Sequence, residues 1–125
     1  ERLLALLKDV ASEPKYLRRL TVKSRGRTII LAADDIDYIE AEGNYLSLRV
    51  GSQAHLIRAA MHQFEGKLDP EKFARIHRST IINIDRVREM HPLFNGDQLV
   101  IMKSGKELVL SRNYRDRLKD LLESF

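Results

Sequence analysis

The chain has 125 residues, 43% of them hydrophobic and 32% charged, with a formal net charge of +4. This length and balance suit one globular domain with a real core, and the longest apolar runs are too short to span a bilayer. Cysteine is absent, which removes disulfides and thiolate metal sites and fits a reducing, cytoplasmic location. The basic excess directs attention to anionic partners, nucleic acid or anionic lipid, and says nothing of fold.

Residues 1–12 carry helical spacing. Leu3, Leu7 and Val10 share one face, Leu4 and Leu6 broaden it, and Ser12-Glu13-Pro14 ends it. The stretch lacks the features of a secretory signal, and the chain begins without a methionine. The expected organisation is therefore a linker helix over residues 1–14, following an upstream domain, and a main domain over residues 15–125.

From Tyr16 the period changes to two. Leu20, Val22 and Ser24 alternate with Thr21, Lys23 and Arg25, and Arg25-Gly26 turns the chain into Thr28 to Leu31. Ala33-Asp34-Asp35 is a connector with one helical turn. Ile36 to Glu42 and Tyr45 to Val50 read as strands around Gly43-Asn44, a pair suited to a two-residue hairpin. Gly51-Ser52 leads into Ala54 to Arg58, and such short loops join only antiparallel strands. Met61, Phe64 and Leu68 predict a short helix over 59–68, with Gly66 near its end. Asp69-Pro70-Glu71 predicts a capped turn. Two further hairpins follow at Asn95-Gly96 and Ser104-Gly105. Ser111 then caps a closing helix whose apolar face is Tyr114, Leu118, Leu121, Leu122 and Phe125. The expected fold class is mostly β: elongated, packed antiparallel sheets with hairpins, a short middle helix and a C-terminal helix. Phe73, Ile76, Ile82, Tyr114 and Leu118 are expected in the core.

The polar stretch within Phe73–Asn83 stands out. Arg75 precedes Ile76, and His77, Arg78, Ser79 and Thr80 sit between Ile76 and the branched pair Ile81-Ile82. Branched residues suit a half-buried pleated surface, while the polar ones seek water, an anion or a partner. Such a knuckle either aims donors outward or guards an edge strand against pairing; from this stretch alone the two readings weigh equally.

Enzyme chemistry finds little support. The acidic group Asp34, Asp35, Asp37, Glu40 and Glu42 lacks the loop spacing of an oxygen-ligand site and reads as a solvated rim. The four histidines are scattered, with no i, i+4 pair for zinc. His77 and Ser79 lie two apart without triad geometry, and no phosphate-cradling glycine pattern occurs. No cofactor and no metal are expected. Nucleic-acid binding fares better because polar donors gather at three turns: Gly43-Asn44-Tyr45, His77-Arg78-Ser79 and Ser111-Arg112-Asn113. Arginine offers a fork for guanine or phosphate, and asparagine pairs with adenine. A protein-interaction module is the competing class.

At these residues the sequence closely resembles the LytTR-type DNA-binding domain found at the C-terminus of many bacterial response regulators. The resemblance is carried by Ile36 to Ala41 with Gly43-Asn44-Tyr45, by Phe73-Ala74-Arg75-Ile76-His77-Arg78-Ser79 with Asn83, and by Gly105 with Leu110-Ser111-Arg112-Asn113-Tyr114. It covers about Tyr16 to Leu122. It implies a transcriptional regulator whose loops, rather than a recognition helix, enter successive major grooves of double-stranded DNA. It further implies promoter direct repeats bound by two protomers, with a receiver domain upstream. Carried over by position, Asn44 and Tyr45 would serve the first reading loop, Arg78 with His77 and Ser79 the second, and Arg112 with Asn113 the third. His77 is open between a base contact and a strut that holds its loop. One departure is Ala60-Met61, where the family tends to have a serine-leucine pair. Because the acidic group reads as a rim, Mg2+ or Mn2+ should leave the melting temperature unchanged in a thermal scan. A rise would restore the metal-site reading, since a ligand selective for the native state must stabilise it.

Overall fold

Apolar side chains that alternate between two sheet faces set the architecture. The computed structural model describes residues 15–125, so the helix expected over residues 1–14 lies outside the described residues. In chain order the elements are β1 (Arg19–Ser24), β2 (Arg27–Ala32), β3 (Tyr38–Glu42), β4 (Tyr45–Val50), β5 (Gln53–Arg58), α1 (Met61–Glu65), β6 (Phe73–His77), β7 (Thr80–Asn83), β8 (Val87–Pro92), β9 (Gln98–Met102), β10 (Glu107–Leu110) and α2 (Arg115–Leu121). All strand pairs are antiparallel. β1 and β2 form a two-stranded ribbon, β10-β9-β8 a three-stranded sheet, and β5-β4-β3-β7-β6 a central five-stranded sheet. The fold is mostly β with a short middle helix and a C-terminal helix, as the alternation and turn residues predict.

The central sheet is covered on both faces. Ile39, Leu46, Leu48, Phe73 and Ile81 point to one side, where they meet Val22 and Leu31 of the ribbon and Met61, Phe64 and Leu68 in and after α1. Tyr38, Ala74, Ile76 and Ile82 point to the other, against Val100, Met102, Leu108, Leu110 and Leu118. Adjacent pairs such as Tyr38-Ile39 and Ile81-Ile82 therefore feed separate cores, as strand geometry requires. Each such side chain, fully withdrawn from water, contributes about 1.5–3 kcal/mol. Burial also pushes the Tyr38 hydroxyl above its ordinary pKa.

Local differences from the sequence reading have physical causes. The strand expected from Ile36 begins at Tyr38, because Ala33–Asp35 winds into a 3-10 turn and Ile36 and Asp37 bridge it to β3. The middle helix is confined to Met61–Glu65, although Met61, Phe64 and Leu68 are all buried as their spacing predicts. The closing helix ends at Leu121, after a 3-10 turn over Arg112–Tyr114. Leu118 is buried and Leu121 half-buried, but Leu122 and Phe125 are exposed, because the chain turns extended at Leu122. Of the expected core residues, Phe73, Ile76, Ile82 and Leu118 are buried, and Tyr114 is half-buried.

Asn83 joins these layers. Its side-chain amide donates to the Asp34 carbonyl at 3.1 Å and the Ile36 carbonyl at 2.9 Å, while its oxygen accepts from the Asp85 N–H at 3.1 Å. Removing it by Asn83→Ala should cost about 1–3 kcal/mol in denaturant unfolding, the penalty for buried groups left unpaired. Asn83→Asp should cost more, since a carboxylate would face two carbonyl oxygens. The Ala60-Met61 departure is local: Ala60 occupies the N-cap of α1 with φ −86° and ψ 141° and makes no side-chain cap bond. Ala60→Ser should raise stability by about 1 kcal/mol in the same assay.

Candidate nucleic-acid interface

Three turns gather at one end of the central sheet. β3 and β4 are joined by a two-residue turn, with Glu42 opposite Tyr45. Gly43 lies at φ +60° while Asn44 does not share that left-handed φ, which fits a hairpin of the II′ class with glycine in the first position. β7 pairs with the other side of β3, Thr80 opposite Glu40. The turn at Arg78-Ser79 thus emerges beside Gly43-Asn44, and the Ala41 N–H donates to the Ser79 carbonyl at 2.9 Å. The third turn is docked by the Ser111 N–H, which donates to the Ile76 carbonyl at 2.8 Å on the outer edge of β6. The sheet brings all three sequence-predicted groups together: Asn44 and Tyr45, His77 to Ser79, and Arg112 with Asn113.

A bulge shapes the middle turn. β6 pairs regularly until Arg75, opposite Ile81, and then shifts so that His77 faces Thr80. Ile76 is the extra residue and is fully buried in the second core. Bulges of this kind re-aim the side chains that follow. Beyond it, His77 Nδ1 lies 2.9 Å from Ser79 Oγ and accepts the Ser79 N–H at 3.3 Å. A backbone N–H can only donate, so Nδ1 is the acceptor and Nε2 carries the ring proton. Extrapolated strand geometry does not anticipate this contact; the turn creates it, and it closes the loop on itself. The edge-guard reading of β6 also has substance, since β6 is an edge strand whose Ile76 carbonyl is covered by Ser111.

The third turn is capped twice. Asp97 Oδ1 accepts the Arg112 N–H at 3.0 Å, and Ser111 Oγ accepts the Asn113 N–H at 3.4 Å. Both bonds use backbone, leaving the Arg112 side chain exposed.

Charge distribution separates the arginines. Arg78 and Arg112 are exposed and make no ion pair among the described residues. Arg58 has the same character and lies opposite Tyr45 at the end of the edge strand β5, beside the first turn. Sequence reasoning missed Arg58 because only cross-strand register brings it there. By contrast, three members of the acidic group lie before β3, at its other end, and are engaged: Asp34 with Lys72 at 3.2 Å, Asp35 and Asp37 with Arg86 at 3.7 and 3.6 Å. Glu40 and Glu42 lie within β3, Glu42 opposite Tyr45 beside the first turn. Among the described residues no group of three His, Asp or Glu is arranged around a metal position. On β8, hydrogen bonds from His91 and Arg88 hold the exposed Glu89 carboxyl below its usual pKa.

Forked cations and amides displayed by turns at one end of a β-sheet characterise a protein that meets a polyanion. Comparison with known proteins gives this class a family. The family model of the LytTr DNA-binding domain matches residues 26–123. The chain belongs to the LytTr DNA-binding domain family, a family of DNA-binding domains and not of enzymes. The sensory transduction protein LytT of Bacillus subtilis is 31% identical over 94 residues, 75% of this chain and 39% of that protein. The CO-responsive transcriptional regulator RcoM of Rhodospirillum rubrum is 30% identical over 110 residues, 87% of this chain and 47% of that protein. The chain thus spans less than half the length of these relatives. A solved LytTr DNA-binding domain from Bacillus cereus has the same fold, with a TM-score of 0.75 at 22% identity over 83% of this chain and 95% of that one. No helix among the described residues is long and apolar enough to cross a membrane.

Proposed function

We propose that this chain is the sequence-specific output module of a transcriptional regulator and that its three turns read the major groove of double-stranded DNA. The observation that carries the reading is their assembly: two backbone hydrogen bonds, Ala41 to Ser79 and Ser111 to Ile76, hold three donor-bearing turns on one end of one sheet. Arg78 and Arg112 have forks that make no ion pair among the described residues and suit the paired acceptors of guanine, and Asn44 has the amide that pairs with adenine. Ser79 and Asn113 suit phosphate oxygens, and Tyr45 packs against sugar or base beside Asn44. His77 is the strut of its loop, since its Nδ1 is taken by Ser79. Arg58 adds a phosphate contact at the flank. Two protomers would occupy direct repeats about one helical turn apart. Residues 15–125 form the DNA-binding unit, and residues 1–14 link it to an upstream receiver domain.

The arginines separate by role in gel-shift titrations on cognate and scrambled duplexes. Arg78→Ala and Arg112→Ala should each cost about 1–3 kcal/mol on the cognate site and far less on the scrambled one. Arg58→Ala should weaken both equally and reduce the salt slope by about 0.9. Equal losses for all three would make every one of them a phosphate contact, and sequence reading would have to lie elsewhere.

A further inference from the structure

We infer that Arg75 is a positioning residue that sets the geometry between the second and third turns, and so controls base discrimination without touching DNA. This rests on the DNA-binding reading above. The block that holds Arg75 and Arg78 contains two arginines three positions apart, and the structure divides their labour. Arg78 is exposed and without an ion-pair partner among the described residues, whereas the Arg75 side chain is only 17% exposed. Its guanidinium is spent inside the protein. Nε donates to the His77 carbonyl at 3.3 Å, and Nη2 donates to the Arg78 carbonyl. Nη1 meets Glu65 Oε1 at 3.2 Å, at the end of α1. The same group lies 5.9 Å from the centre of the Tyr114 ring, the residue that closes the third turn. Glu65 in turn reaches Arg117 of α2 through its other oxygen at 3.4 Å.

One planar cation therefore grips the backbone of the second turn, an acid on α1 and an aromatic ring of the third turn. Only arginine supplies donors in several directions from one rigid plane; lysine offers a point charge on a flexible stem. With the Arg75 fork replaced, the carbonyls of His77 and Arg78 lose their anchor, and Arg78 loses its fixed position relative to Arg112. A cation left in place preserves the overall charge, so attraction to the phosphate backbone survives while the register of base contacts does not.

The test is Arg75→Lys, with Glu65→Gln as a second variant that loosens the same clamp from its acidic end. Both are titrated against cognate and scrambled duplexes over a range of salt, with a melting curve for each. The expected result is a roughly tenfold fall in the ratio of cognate to scrambled affinity, comparable to loss of one good base contact. For Arg75→Lys, scrambled-duplex affinity and salt slope should stay as in the unaltered chain; Glu65→Gln removes one negative charge, so it is read by the cognate-to-scrambled ratio alone. Equal losses on both duplexes with a shallower salt slope would make Arg75 a phosphate contact and overturn the inference. An unchanged ratio in both variants would overturn it too, as would unfolding of both at the assay temperature, which would assign the clamp to the fold alone. If the unaltered chain itself fails to prefer any duplex, the DNA-reading proposal fails first and this inference with it.

Discussion

Two-sided burial of the central sheet is the constraint on which the rest depends. β3 and β7 carry consecutive apolar residues, Tyr38-Ile39 and Ile81-Ile82, that supply separate cores. Antiparallel sheets often leave one face to water, but this one leaves neither at its centre. With both faces occupied by the ribbon and α1 on one side and by β8–β10 and α2 on the other, the strand ends remain for display. The turns at one such end hold the donors.

The same constraint explains how flexible connections become a defined surface. Two of the three turns are tied to strands they do not belong to: the second to β3 through Ala41, the third to β6 through Ser111. Side chains then complete the fixation, His77 within its own turn and Arg75 between turns. Arg78 and Arg112 carry no such side-chain ties among the described residues. Rigid backbone beneath free guanidinium groups is what direct readout requires, since a forked donor discriminates only when its origin is held.

Much of this was legible in the residue pattern. The turns at Gly43-Asn44, Gly51-Ser52 and Ser104-Gly105 announce themselves through glycine beside short polar residues, so the hairpins and the positions of Asn44 and Arg112 follow from local chemistry. The polar residues of the Phe73–Asn83 stretch were visible too, and with them the candidate readers. What was hidden depends on distant partners. Arg75 and Arg78 look alike in sequence, and only the bulge at Ile76 and the contacts with Glu65 and Tyr114 tell them apart. Arg58 enters the neighbourhood through its register with Tyr45. At the C-terminus, Leu122 and Phe125 continue the helical period, yet the helix ends before them, because periodicity does not report where packing stops.

The central claim, that one end of the central sheet is the DNA-contacting surface, is tested most directly by following backbone amide signals in a nuclear magnetic resonance titration with duplex DNA. The account predicts that Asn44, Ser79 and Arg112 shift together and saturate at one stoichiometry, while Ser52 and Gly105, at turns on the opposite ends of their sheets, stay in place. Shifts centred on Ser52 and Gly105, with the three turns silent, would contradict it.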